Sequence, residues 1–242
     1  MSHITDIMKA RHNIKWFSDE VPDKKLIDDI LKQAHSLVPH KNNFYYYRIK
    51  VLGPEHQEEK RKLAIASVCG TGKQQFRNGT KEDINRLFNI YDEYISDENR
   101  KKGYKPIEDC HFNTQILAPY LLVYTHQKDY RTKKQNESLY AKSGKQDKIF
   151  TKKFNKIDNF DWVIQSAMHG ISVSYLCAEN YLYASFCRCY FYSNHINSKI
   201  FKSHNDIADT AFILGIGYRD KNKSYWGSGV EKPNYDEIVE WE

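Results

Sequence analysis

The sequence predicts an α+β fold in which helices pack on a sheet. Two observations carry this. Apolar residues recur at helical spacing near the N-terminus and, most strongly, over 161–183. Short runs rich in β-branched and aromatic residues at 45–52, 117–124 and 212–218 give only four or five strand candidates, mixed among the helices.

Taken in order, Ile4, Ile7 and Met8 place one face on a short helix over 4–10. Val21-Pro22-Asp23 opens a second helix, because Pro and Asp suit a first turn. Leu26, Ile27, Ile30, Leu31 and Ala34 form its apolar stripe. Tyr45 to Leu52 reads as a strand stopped by Gly53-Pro54. Residues 55–110 are polar and helical in pattern. Leu117 to Tyr124 is a short apolar run that fits a buried central strand. Ile164, Ala167, Met168, Ile171, Tyr175, Leu176 and Ala178 make Asp161–Tyr183 the strongest helix, expected to be central and buried. Asp206 to Leu214 passes from helix to strand, and 212–218 is a strand relieved by Gly215 and Gly217. No internal repeat is present.

The 242 residues are 40% hydrophobic and 28% charged, enough for one large core and too apolar for wholesale disorder. No apolar run approaches the ~20 residues of a membrane helix, and the N-terminus lacks a secretory pattern. The expectation is a soluble cytoplasmic protein with no membrane partner. The net charge of +6 permits an anionic ligand without demanding one. Five cysteines, Cys69, Cys110, Cys177, Cys187 and Cys189, include no CxxC pair and read as reduced thiols.

Among the candidate motifs, Arg11, His12 and Lys15 cluster after the first helix and could grip a phosphate, since guanidinium and ammonium groups supply charged donors. Alone, this is a basic loop on a mildly basic protein. Gly70-Thr71-Gly72-Lys73 lacks the glycine and hydroxyl spacing of a phosphate loop and reads as a turn. The histidines show no metal-ligand spacing, so no metal is expected. Cys187 and Cys189 read as two small buried thiols in a strand. Residues 128–156 hold ten Lys/Arg against three Asp/Glu and read as a mobile, solvated excursion.

The opening Arg11-His12-Asn13-Ile14-Lys15-Trp16-Phe17 resembles that of the nitroreductase family, flavin enzymes whose first motif runs Arg, Arg or His, Ser, any residue, Arg or Lys, any residue, Phe. Ala34-His35-Ser36 up to Asn42, Asp161 through Cys187, Leu214 to Tyr218, and Lys232-Pro233 through Val239 are similar to later segments of that family, in the same order. The middle of the chain matches poorly. The resemblance implies one domain over 1–242, a three-layer sandwich with a central, mostly antiparallel sheet flanked by helices. A lid or excursion over 126–158 would cover the flavin and shape the acceptor pocket. It implies FMN bound in sites shared across a homodimer, hydride taken from NADH or NADPH, and a nitroaromatic, quinone or similar acceptor reduced by a ping-pong cycle.

Residue by residue, the resemblance makes Arg11, His12, Asn13 and Lys15 flavin contacts, with Lys15 the candidate to stabilise reduced flavin at its N1–O2 edge. Lys232 matches a near-terminal cation that meets the phosphate. Asn42, and Asn113 before the 117–124 strand, match flavin-contacting asparagines. Cys187 and Arg188 fall where the family sets backbone and side chains against the flavin ring. No catalytic acid or base is implied, because flavin N5 carries the chemistry. Tyr45, Tyr46 or Phe150 would stack on a planar substrate. Asn13 replaces the family's Ser, Asn43-Phe44-Tyr45-Tyr46 replaces Ser-Gln-Pro-Trp, and Leu182-Tyr183-Ala184 replaces Gly-Leu-Gly, where bulkier residues narrow the pocket. Two other readings stand beside this one: a relative with a different flavin task, dehalogenation or flavin breakdown, and a flavin-less basic protein that binds nucleic acid through the 128–156 segment and its aromatics.

Overall fold

The computed structural model describes residues 3–38, 45–68, 76, 80–96, 112–126, 158–189, 210–222, 234 and 237–240. The helices are α1 (His3–Ala10), α2 (Lys24–Leu37), α3 (Gln57–Ala66), α4 (Lys81–Tyr94) and α5 (Asp158–Glu179). The strands are β1 (Tyr47–Leu52), β2 (Tyr120–His126), β3 (Tyr183–Cys187) and β4 (Thr210–Gly217). Local chemistry sets several boundaries. Asp23 caps α2 by accepting from the Lys25 amide at 2.7 Å. Thr80 and Asp83 cap α4 reciprocally, each side chain bonding the other's backbone amide at 3.1 Å.

The strands form one antiparallel sheet in the order β1-β2-β4-β3. Alternation along β2 sends Leu121 and Val123 to one face, and Tyr120, Leu122 and Tyr124 to the other. The first face packs with Leu63–Ala66 of α3 and with Leu87 and Tyr91 of α4. The second packs with Ile27, Ile30 and Ala34 of α2 and with Val173, Leu176 and Cys177 of α5. The result is the expected three-layer sandwich, with two cores divided by the sheet.

Two boundaries move inward from their expected places. The 117–124 strand begins at Tyr120, because Thr114–Leu117 forms a 3-10 turn and Pro119 has no amide to offer a ladder. The 161–183 helix ends at Glu179. Tyr181 then takes a left-handed conformation, φ 59°, which reverses the chain into β3. The larger difference lies in how α5 is buried. Gln165, Ser166, His169, Val173, Ser174 and Cys177 face the sheet, whereas Ile164 and Ala167 are exposed and Met168, Ile171, Tyr175 and Ala178 only half-buried. The apolar stripe that predicted a buried helix is therefore largely on its outer side.

Candidate functional site

The segment that follows α1 is fixed at both ends. The Arg11 amide donates to the Ile7 carbonyl at 3.1 Å, the last turn of the helix. Phe17 bridges antiparallel to Arg219. The Ser18 amide donates to Tyr218 and the Asp220 amide to the Trp16 carbonyl, at 2.9 and 3.2 Å. The intervening residues cannot drift, because Ile14 and Phe17 are buried in the α3/α4-side core.

Between these anchors, Asn13 ties the segment to β3. Its Oδ1 accepts from the Ser185 hydroxyl at 2.8 Å and from the Phe186 amide at 3.2 Å. Gln115 Nε2 in turn donates to Ser185 Oγ at 2.5 Å. Asn113 caps the 3-10 turn, its Oδ1 accepting from the Gln115 amide at 3.2 Å, and its Nδ2 donates to Cys187 Sγ at 2.9 Å. One polar cluster, buried around Gln115, Ser185, Asn113 and Cys187 and open at Asn13, thus joins three pieces of chain distant in sequence. Each hydrogen bond matters more in such surroundings than at the surface.

The cluster brings together three of the residues expected to meet the cofactor: Asn13, Asn113 and Cys187. Around them Arg11 and Lys15 are half-buried, His12 is exposed, and Arg188 is exposed just past the end of β3. The Arg11 guanidinium has no hydrogen-bond or ion-pair partner among the described residues. Asn42 and Lys232 lie outside the described residues, as do Gly70–Lys73, Phe150, Cys69, Cys110 and all of the 126–158 excursion except its two ends.

Several expectations meet a different environment. Asn113 is only 8% exposed, and its amide is engaged internally, so it shapes the cluster from within. Tyr46 is buried, its amide bonded to Gln165 Oε1, and offers no stacking face. The Tyr45 ring already stacks on His35, centroids 4.9 Å apart. Leu182 and Ala184 turn into the α2/α5-side core. Cys187 is a buried strand thiol as expected, but Cys189 is exposed beyond the strand. Gln115 and Ser185 were not singled out from the sequence. The available signal was Asn113-Thr114-Gln115 before a proline, an amide pair suited to a tight turn.

A cofactor phosphate would find suitable donors here: an unpaired guanidinium, a nearby lysine and histidine, and a backbone held rigid by the Asn13 anchor. No group of three or more His, Cys, Asp or Glu side chains suited to a metal occurs among the described residues. No helix among them is long and apolar enough to cross a membrane.

No family model and no curated protein sequence matches the chain. Solved structures do. A nitroreductase-like protein from Streptococcus mutans is similar with a TM-score of 0.61 at 12% identity, covering 98% of this chain and 97% of its own. An FMN and NADPH-dependent nitroreductase from Sphigopyxis sp. strain HMH gives 0.55 at 15%, covering 100% and 99%. A nitroreductase with bound FMN from Bacteroides fragilis gives 0.56 at 9%, covering 99% and 100%. The chain has a nitroreductase-like fold.

Proposed function

We propose that this protein is an FMN-dependent oxidoreductase that takes hydride from NADH or NADPH and passes electrons to a small planar acceptor such as a nitroaromatic or a quinone. The observation that carries the reading is the Asn13 anchor. It holds the basic Arg11–Lys15 segment against β3 on a fold shared with FMN-dependent nitroreductases.

Bound FMN supplies hydride acceptance and release at its flavin ring. The protein's part is binding, orientation and charge. Arg11 and His12 hold the phosphate, and the resemblance adds Lys232 as a further cation for it. Lys15 offsets the negative charge that collects on the flavin when it is reduced. The Gln115–Ser185–Asn13 relay keeps these groups in place without itself moving a proton. Arg188, exposed just past the end of β3, would meet the flavin ring.

The functional unit is a homodimer. Ile164, Met168, Ile171 and Tyr175 leave an apolar stripe on the outer side of α5, and Ile4 and Met8 of the adjoining α1 are exposed as well. A second copy would take that surface out of water. The thiols and the absence of a membrane helix among the described residues suit a cytoplasmic enzyme.

The test is the visible spectrum of the purified protein. Oxidised-flavin bands released as FMN on denaturation, bleached by NADH or NADPH and restored by a nitroaromatic or quinone, are the expected outcome. A colourless protein that takes up no added FMN overturns the reading.

A further inference from the structure

In the polar cluster at Asn13, one backbone group fixes the sense of every hydrogen bond. The Phe186 amide can only donate, and at 3.2 Å it donates to Asn13 Oδ1. That sets which end of the Asn13 amide faces β3. The Ser185 hydroxyl lies 2.8 Å from the same oxygen, so its single proton must go there. Ser185 Oγ can then meet Gln115 only as an acceptor, which turns Gln115 Nε2 toward it. Gln115 and Ser185 are 6% and 0% exposed, so bulk water does not compete for either. Asn13 is exposed, and its Nδ2 protons reach no acceptor among the described residues.

A hydroxyl at this position could turn and serve as donor or acceptor, whereas the locked amide offers donors alone. Its neighbours two positions away on either side, Arg11 and Lys15, are donor-only as well. We propose that Gln115 is a positioning residue for the cofactor: acting through Ser185, it holds the Asn13 amide with Nδ2 outward, where it donates to an acceptor oxygen of FMN. Gln115 is buried and acts only through the other two. Without a donor at that position, the Ser185 proton is free to turn away from Asn13, and the amide loses one of its two holds on β3. On the flavin reading, on which this rests, the acceptor is an oxygen of the phosphate, the ribityl chain or the ring carbonyls.

The test is binding of FMN to the full chain by equilibrium dialysis, with riboflavin beside it. Gln115→Glu keeps the size of the side chain and, once ionised, reverses its polarity, drawing the Ser185 proton away from Asn13. It should raise the Kd for FMN about tenfold over wild type at pH 9. It should come back toward wild type at pH 5.5, where the protonated acid again donates. Asn13→Asp keeps an oxygen for Ser185 and Phe186 but loses the outward donor. It should weaken FMN about tenfold, in 1 M sodium chloride as well, where the added charge is screened, with the urea midpoint unchanged or raised. A loss shared by riboflavin puts the acceptor on the ring or ribityl chain, and one confined to FMN puts it on the phosphate; both support the proposal. A wild-type Kd in Asn13→Asp, a loss there that vanishes in 1 M salt, or a ratio of Gln115→Glu to wild type that does not change with pH overturns it and leaves flavin binding standing. Should Gln115→Glu not fold, Asn13→Asp decides. A wild type that binds neither flavin overturns the flavin reading and this proposal with it.

Discussion

At the scale of single residues, two polar side chains set the behaviour of the molecule, and both act through other groups. Asn13 is an exposed residue whose one oxygen holds a hydroxyl and an amide of β3. Asn13→Ala leaves Ser185 and Phe186 without that acceptor. It should cost about 1–2 kcal/mol by chemical denaturation, and on the flavin reading it should raise the Kd for FMN as the Arg11–Lys15 segment loosens. An unchanged Kd would mean that Asn13 holds only structure. Lys60 is the other. Burial lowers its pKa from 10.5 to about 8, while nearby Glu55 pulls it up. The unfolded chain holds that proton more tightly, so it binds more protons than the native state between about 8 and 10.5. The buried charge thus weighs fully against folding below pH 8, and its burden lifts as pH rises. Denaturation of wild type and Lys60→Met at pH 7, 8.5 and 9.5 should show the difference moving in favour of wild type with pH.

At the scale of elements, close approach decides where glycine must stand. A Cβ on Gly215 would come 2.5 Å from the Gln115 carbonyl oxygen, and one on Gly217 would come 2.6 Å from Pro119 Cδ. These two glycines let β4 lie under the turn that carries Asn113 and Gln115. Gly170 does the same for α5, where a Cβ would meet Phe212 and Phe186 at 2.8 and 2.9 Å. In an open helix, Gly→Ala would gain about 1 kcal/mol from propensity. Here the overpacking reverses the sign, and Gly170→Ala should lower stability by about 1–3 kcal/mol. A raised Tm would show that α5 can lift from the sheet. The sheet-facing side of α5 is also unusually polar. His169 Nδ1 lies 2.9 Å from the Tyr124 hydroxyl inside the core, at the centre of tilted contacts with Tyr47.

At the scale of the whole molecule, the three layers bury both faces of the sheet and leave the outer side of α5 apolar. Ile164 is 54% exposed on a helix that carries polar groups inward. On the dimer reading, a second copy takes that surface out of water. Ile164→Lys combined with Ile171→Lys should convert a dimer to a monomer in sedimentation velocity. On the shared-site reading the variant should also lose bound FMN. A wild-type protein that sediments as a monomer at micromolar concentration would sink the dimer.

The sequence by itself determined the class of fold and most of its elements, because helical and strand periodicities report which side of an element is apolar. It also marked the Arg11–Lys15 segment, since charge clustered after a helix is visible in one dimension. Only the tertiary structure decided what the apolar side of α5 faces. Periodicity shows that a stripe exists and says nothing of whether the sheet or a second chain covers it. Likewise only the fold joined Asn13 to Ser185, 172 positions apart, and Asn113 to Cys187, 74 apart. A hydrogen bond needs atoms within about 3 Å, and no local pattern records distances made by folding. Lys60 stands within a polar helix as one basic residue among several. Its burial follows from where α3 lies against the 3-10 turn, which the packing of the two cores alone sets.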